Sequence, residues 1–540
     1  MDESATQTTV DWQPWGHEPF DAAAAADQPL LLAVSGFWCG WCRAMDARTY
    51  ADPRIGARIN DALVPVRVDA DRHPMVRARY TMGGLPATVF LAPDGRLLAT
   101  AGYLDPEDFR DVLDRVMVSW TDSEDAAGRV PEPLQETSLP GGSISPAIEA
   151  QLVGQLEASF DEEHAGWGTD AKFPLPAAIE FALTRRPAQA EQTLAAIRAH
   201  LEDSGDGGFF RHARARDWSE PMLEKLLSVN AAMLRAQAQA YLTTGDTAHR
   251  EGAQRTVRFL VETLWTGEGF ANSQAPGEYF SQPPADRRPE DRPATDAARY
   301  AETNGDAVEA LLRYAAYTDD ELAREYAERG LGWLLRERVI EGRVRRHEDA
   351  CGPITIWDQG AVLDALTTAC QVLGTRYLEP ASEVAEETIS RLQSPEGAFV
   401  DGTADGPALV DRPLYPIDAN ARLADALVDL AALTESDPYR EAARAALDAF
   451  ADAADHLGVQ AGRYGRATAR LLDETLAIDV ATGAGSDLHR AALRMADPEK
   501  VVVPGADLAA PGRARIRGFD PLEGPIQTPE DLVAAVQSIR

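Results

Sequence analysis

The sequence predicts a multidomain chain: an N-terminal α/β domain, then an all-α ring of helical hairpins, then a small C-terminal α/β region. Three observations predict this. The apolar run Leu30-Leu31-Leu32-Ala33-Val34 reads as a buried strand and leads through Ser35-Gly36 and Phe37-Trp38 into Cys39-Gly40-Trp41-Cys42, where a helical stretch begins. After Trp120 the composition turns to Ser, Glu, Gly and Pro with little apolar periodicity. Beyond about residue 146 the chain reads as successive amphipathic helices separated by a recurring glycine–aromatic signal.

The cysteine pair carries the chemistry of the first part. A thiol at a helix start meets the positive end of the helix dipole and unsatisfied backbone N–H groups, and both favour the thiolate that attacks disulfides. Zinc is the main rival, but a structural zinc site usually needs four ligands, commonly as two such pairs. The remaining cysteines, Cys351 and Cys370, are distant from the first pair. Cys370 shares a helical face with Leu363 and Leu366, which predicts packing, and Cys351 falls in a Gly/Pro-containing loop. Thiol–disulfide exchange, an inert disulfide and a metal site all stay open, with exchange favoured by the strand–CxxC–helix order.

The residues that follow extend the α/β reading. Leu63–Asp69 predicts a second strand, Thr88–Ala92 a third, Pro93-Asp94-Gly95 a turn into Arg96–Ala101, and Pro106–Trp120 a closing helix. Residues 18–120 thus resemble a thioredoxin-like domain. That resemblance implies a cis bond before Pro86 in Gly83-Gly84-Leu85-Pro86, with Pro86 beside the cysteine pair and its preceding residue offering backbone groups to an extended peptide; an ordinary trans turn is the alternative. The chain departs from ordinary thioredoxins at Trp41, where they usually have proline, and at Ala33, where they usually have a buried aspartate.

Composition bounds the setting. The 540 residues carry a formal net charge of −35, and only Lys172, Lys225 and Lys500 among the 52 basic residues are lysines. An acidic, nearly lysine-free chain resembles proteins of salt-in extreme halophiles, whose surfaces stay hydrated in concentrated salt. An acidic face for a basic partner is the alternative, although the acids are spread along the whole chain. Nucleic acid is disfavoured as a partner on the same electrostatic ground. The acidic start Met1-Asp2-Glu3-Ser4 has no signal-like apolar core, and no apolar run is long enough to cross a bilayer, which predicts a cytoplasmic protein without membrane contact.

Residues 121–145 predict a linker and 146–475 the helical region. Leu223, Leu226, Leu227, Asn230 and Leu234 mark one helix face, Val308, Leu311, Leu312 and Ala315 another, and Leu423, Leu427 and Leu430 a third. Between helix pairs recur Gly166-Trp167-Gly168, Gly207-Gly208-Phe209, Gly267-Glu268-Gly269-Phe270, Gly397-Ala398-Phe399 and Gly462-Arg463-Tyr464, with Glu341-Gly342-Arg343-Val344 a weaker member. Irregular loop lengths with aromatic and charged residues favour an (α/α)6 toroid over an open helical array. Residues 476–540 predict strands at Leu476–Ala481 and Lys500–Pro504, a helix at Leu488–Met495 and a last amphipathic segment at Pro529–Arg540.

The order of these parts resembles the spermatogenesis-associated protein 20 family. The words carrying the match are Phe37–Cys42, Gly166-Trp167-Gly168 with Ala171-Lys172-Phe173-Pro174, Asp206–Phe209, Pro221–Leu227 and Thr303-Asn304-Gly305. The resemblance implies a thioredoxin-like domain joined to a toroid similar to six-hairpin glycosidases and N-acylglucosamine 2-epimerases. Two of the three lysines lie inside these words, which predicts that Lys172 and Lys225 resist exchange for arginine. The family pattern has histidine where Met222 and Phe210 stand and commonly at Gly40, and a further cysteine pair near the end where Arg515–Asp520 has none.

Two functions follow as expectations. In the first, Cys39 attacks, Cys42 resolves and Pro86 positions, with a disulfide-containing protein or a small thiol as partner. In the second, the toroid takes a sugar-like ligand, as an epimerase, isomerase, glycosidase-like enzyme or degenerate binding protein. Lys172, His212, Glu224, Asp306, Asp358 and Asp418 are its cavity candidates, the carboxylates as hydroxyl ligands or acid–base groups. Helix capping by Asp306 and Asp418, and loop pinning by Lys172 and Glu224, are the structural alternatives. A scaffold in which neither site turns over is a third possibility. No metal or other cofactor is called for.

Overall fold

In a computed structural model the described residues are 9–81, 83–122, 128–135, 138–348, 352–404, 406–473, 475–508, 512–517 and 525–539. Cys351, part of the 121–145 linker and the stretch 518–520 lie outside them. The chain divides into two compact units.

The first unit comprises residues 1–138, 351–353 and 401–414. Its elements are β1 (Gln13–Pro14), α1 (His17–Ala26), β2 (Leu30–Ser35), α2 (Gly40–Arg48), α3 (Pro53–Ala62), β3 (Val64–Asp69), α4 (Pro74–Tyr80), β4 (Ala87–Leu91), β5 (Leu97–Ala101) and α5 (Pro106–Thr121). The sheet order is β1-β3-β2-β4-β5, parallel across β1, β3 and β2 and antiparallel across β2, β4 and β5. Every residue of Leu30–Val34 is buried, as expected for a central strand covered on both faces. Asp52 and Asp105 cap α3 and α5, each accepting from two backbone N–H groups just ahead of a proline at the first helical position. This is a thioredoxin-like domain, with Leu31, Phe90, Phe109 and Leu113 in its core.

Asp401–Leu414, expected within the helical region, groups with this first unit. The cause is Arg79. Its fully buried guanidinium bonds Asp401 (Nη2–Oδ1 3.2 Å) and donates to the carbonyls of Leu409, Val410 and Arg412. A charge stripped of water needs this many acceptors, and no local sequence pattern announces such a pair.

The second unit comprises residues 139–350, 354–400 and 415–540. Its helices are α6 (Pro146–Ser159), α7 (Pro176–Arg185), α8 (Pro187–His200), α9 (Leu227–Thr244), α10 (Thr247–Phe259), α11 (Ala301–Thr318), α12 (Glu321–Glu337), α13 (Ile356–Leu373), α14 (Leu378–Leu392), α15 (Ile417–Thr434), α16 (Asp437–Asp448) and α17 (Gly462–Leu472). Helices α7, α9, α11, α13, α15 and α17 pack each on the next, and α17 packs back on α7. That last contact closes the ring and makes it a toroid. Helices α8, α10, α12, α14 and α16 each lie against the inner helix before them, and α6 packs on α17 and α7.

Short strands β6 (Lys225–Leu226), β7 (Ser273–Gln274) and β8 (Thr295–Asp296) form one small sheet, and β9 (Val339–Ile340) pairs with β10 (Arg343–Val344). The C-terminal region holds β11 (Ala477–Val480), α18 (Asp487–Leu493), β12 (Val501–Pro504), β13 (Ala514–Ile516) and α19 (Pro529–Ile539), with sheet order β12-β11-β13. It belongs to the toroid's unit, since β12 packs on α13 and α15. Cys370 is buried there with Leu433, Val501 and Val503, and burial pushes its thiol pKa up to about 12.

Candidate functional site

Cys39 ends the loop after β2 and caps α2, its Sγ accepting from the Cys42 N–H at 3.0 Å. The two sulfurs are bonded to each other, and both residues are only 4% exposed. Their neighbours in the chain are open: Trp41 is 48% exposed and Phe37 36%. Trp38 is buried and donates from Nε1 to Asp71 at 2.9 Å, while Trp41 sits edge-on to Tyr103. The Leu85–Pro86 bond is cis, as the thioredoxin resemblance implied. Ala33 pairs with Thr88 on β4 and Arg67 on β3. Thr88 Oγ1 donates to the Gly102 carbonyl at 3.1 Å. The buried site thus has a small apolar residue where ordinary thioredoxins usually carry a proton acceptor.

In the toroid three of the glycine–aromatic loops have a common fastening, whereas Gly462-Arg463-Tyr464, expected to be such a loop, opens α17. Phe209, Phe270 and Phe399 each donate their backbone N–H to an asparagine Oδ1 at 2.7 Å, from Asn230, Asn304 and Asn420 respectively. Each Asn Nδ2 returns a bond to the same phenylalanine's carbonyl and another to a carbonyl four residues earlier. Gln359 grips the weaker member, accepting from Val344 N–H at 2.6 Å and donating to the Gly342 carbonyl. All four amides occupy the fourth position of their inner helix. Only Asn230 and Asn304 were visible as parts of sequence patterns; the shared signal was the amide at that position.

The two lysines inside the family words pin the earliest loops. Lys172 Nζ donates to Asp161 Oδ2 at 2.9 Å and to the Gly168 carbonyl at 2.7 Å. Lys225 Nζ does the same with Asp203 at 2.6 Å and Gly207 at 2.7 Å. The Lys225 ammonium also faces the rings of Phe210, Phe259 and Phe280 at 5.3, 4.8 and 4.7 Å. Burial pulls its pKa down to about 8 against the upward pull of Asp203. Lys500 is buried too, donating to the carbonyls of Met495 and Asp497. Every lysine of the chain is therefore interior, and among the described residues the exposed Lys/Arg side chains are all arginines.

The other cavity candidates separate. Glu224 is buried and pairs with Arg211 at 2.6 Å, leaving its Oε2 without a hydrogen bond. His212 stacks on Phe173 with ring centroids 4.4 Å apart, and its buried Nδ1 is unpartnered. Burial, then the charges of Arg211 and Arg214, lower its pKa to about 4. Asp358 accepts from Thr355 Oγ1 at 2.6 Å and from Arg346 at 3.0 Å. Asp306 holds Arg422, and burial raises its carboxyl pKa. Asp418 is exposed, on the first turn of α15.

The bore of the ring holds charge that, Asp306 and Arg463 apart, no sequence pattern singled out. Arg235 bonds Glu180 at 2.7 Å and Glu309 at 3.3 Å; Arg466 reaches Glu180 at 3.1 Å and also pairs with Asp425. Arg470 pairs with Asp425 and Asp429, Arg313 with Glu309, and Arg422 with Asp306 and Asp364. Arg463 completes this set of six arginines and six carboxylates, lying 3.7 Å from Asp364. Partners sit at matching depths: Arg235 and Glu309 are the ninth residues of their helices, Asp306 and Arg422 the sixth of theirs. The inner helices thus start at one end of the ring, its mouth.

Comparison with known proteins follows the same division. Residues 3–137 match the family Thioredox_DsbH, described as "Protein of unknown function, DUF255". Spermatogenesis-associated protein 20 of Homo sapiens is 28% identical over 318 residues, covering 52% of this chain and 39% of the relative. The chain is a homologue of that protein. The match spans about two fifths of the relative's length. Thioredoxin-1 of Drosophila melanogaster is 28% identical over 79 residues, 15% of this chain and 71% of that protein. Cellobiose 2-epimerase from Spirochaeta thermophila aligns with 20% identity and a TM-score of 0.45 over 56% of this chain and 83% of its own. Among the described residues no helix is long and apolar enough to cross a membrane.

Proposed function

We propose that this protein is a thiol–disulfide oxidoreductase or redox-regulatory protein acting through Cys39 and Cys42. One observation carries the reading: Cys39 caps α2 with its sulfur at the helix N-terminus, bonded to Cys42, in a thioredoxin-like domain with a cis-proline loop. In exchange, the Cys39 thiolate attacks a partner disulfide and releases one partner thiolate. Cys42 then attacks the mixed disulfide, freeing the second partner thiol and closing Cys39–Cys42. The two electrons gained by the partner are those lost by the pair. Pro86 is the positioning residue, and the exposed Phe37 and Trp41 suit a protein or small-thiol partner. A Cys42→Ser variant should accumulate mixed disulfides through Cys39, and reduced Cys39 should alkylate faster than Cys42 and below the ordinary thiol pKa of about 8.5. Equal, slow labelling of both thiols, or zinc co-purifying with the protein, would reject the assignment.

The toroid supports a second reading, a ligand-binding bore for a sugar-like molecule. The unpartnered buried Oε2 of Glu224 and Nδ1 of His212 favour it, since such atoms are ordinarily satisfied by water or ligand. Lys172 and Asp358 already have ion-pair partners, which supports a role in holding loops and helices.

A further inference from the structure

Arg463 is the exception in the bore. Every other arginine there holds a carboxylate at hydrogen-bonding distance, but among the described residues the Arg463 side chain makes no hydrogen bond, its nearest carboxylate being Asp364 at 3.7 Å. The charges acting on it come from four other inner helices: Glu180 on α7, Arg235 on α9, Asp364 on α13 and Arg422 on α15. Its guanidinium therefore lies toward the axis. It is the second residue of α17, so it stands at the mouth, and 13% of its side chain stays exposed.

Two desolvated guanidiniums beside a third are unfavourable without a counter-charge. Burial, then Arg235 and Arg422, lower the Arg463 pKa to about 10 against the opposing pull of Asp364 and Glu180. Arg422 adds a second unfilled donor, its buried Nε, which lies 3.4 Å from Asp364 without hydrogen-bond geometry. Around these donors stand acceptors. Asp418 is close enough to feel the Arg463 charge, and Asp306 is held by Arg422.

We infer that the toroid mouth binds a small polyhydroxylated molecule carrying an oxyanion, with Arg463 as its principal contact. The planar fork of a guanidinium suits two oxygens of a carboxylate or phosphate. Asp306 and Asp418 would repel an anion seated on them, which puts the oxyanion on the Arg463 side and the hydroxyl groups on the carboxylates. This deepens the second reading, that the bore takes a sugar-like ligand, and is independent of the cysteine chemistry.

The test is isothermal titration of the full chain with glucuronate, glucose 6-phosphate and glucose. At least one acid should bind saturably and at least tenfold more tightly than glucose. Glucuronate alone would identify a carboxylate and glucose 6-phosphate alone a phosphate. Arg463→Gln should weaken that binding at least tenfold with an unchanged or raised melting temperature, because the side chain it removes has no hydrogen bond to lose. Arg463→Lys, which keeps the charge and loses the fork, should fall between. Glucose binding as tightly as the acids, or Arg463→Gln binding them as the parent does, would overturn the oxyanion inference and leave a sugar-binding bore standing. No saturable binding by any of the three probes would overturn both.

Discussion

Lys225 and Asp203 form a buried pair, Nζ to Oδ2 2.6 Å, in which the lysine also holds the carbonyl of the loop glycine Gly207. The arrangement explains why lysine persists in a chain that otherwise uses arginine. A compact ammonium reaches the carboxylate and the carbonyl together, while Arg287 takes the other oxygen of Asp203 at 2.7 Å. Lys225→Arg should cost about 1–3 kcal/mol by overpacking, and Lys225→Met about 3 kcal/mol by leaving the Gly207 carbonyl unbonded and Asp203 with Arg287 as its one cation. Lys172→Arg and Lys172→Met should follow the same order, read from denaturant midpoints. Equal stability of the parent and all four variants would show that these lysines are not what fastens the loops.

His212 sets a pH dependence. Its folded pKa, about 4, is below the unfolded value of about 6.5, so the unfolded chain binds the extra proton between those two values. Its contribution is therefore complete above about pH 6.5 and lost as pH falls toward 4, by up to about 3 kcal/mol. Carboxylates titrate in part of the same range, so the measurement is the difference between the parent and His212→Gln. The stability of the parent should drop more steeply than that of the variant between pH 6.5 and 4, and parallel curves would contradict the assignment.

The formal charge of −35 sets a salt dependence. Lowering potassium chloride from 1 M to 0.1 M lengthens the Debye length from about 3 to about 10 Å, and carboxylates then repel over longer distances. The melting temperature should fall across that range. The buried bore pairs are screened much less than surface charges, so removing a bore carboxylate, as in Glu309→Gln, should lower stability by a similar amount at both salt concentrations. A melting temperature independent of salt would favour a basic partner as the reason for the acidic composition.

Arg79 and Asp401 are 322 positions apart and fully buried together. Arg79→Ala would leave Asp401 uncompensated, a loss of about 3–5 kcal/mol. Limited proteolysis should then cut within 401–414 faster than in the parent. Unchanged cleavage there would show that the segment is held by other contacts.

The parts of this architecture that read directly from sequence are those specified by neighbours in the chain. The strand into Cys39, the cysteine pair at a helix start and the glycine–aromatic loops are all local patterns. The bore was illegible for a physical reason. Arg235, Glu309 and Arg466 occupy positions that in an ordinary amphipathic helix face water, and periodicity cannot tell a solvated face from a polar axis. Arg79–Asp401 was illegible because only the folded chain brings its halves together. Asn420 and Gln359 carried a signal, an amide fourth in the helix after a glycine–aromatic loop, that only shared geometry makes recognisable.

The amide fasteners also bear on how the ring is assembled. They span short stretches of chain, with separations of 21, 34, 15 and 21 residues for Asn230, Asn304, Gln359 and Asn420. The Arg466–Glu180 pair that bridges the last inner helix to the first spans 286. Contacts of short separation close with little loss of chain entropy, whereas distant ones require much of the chain to be in place. Each of these four hairpins therefore carries its own instructions for loop placement, and sealing the circle is the one step that depends on nearly the whole chain at once.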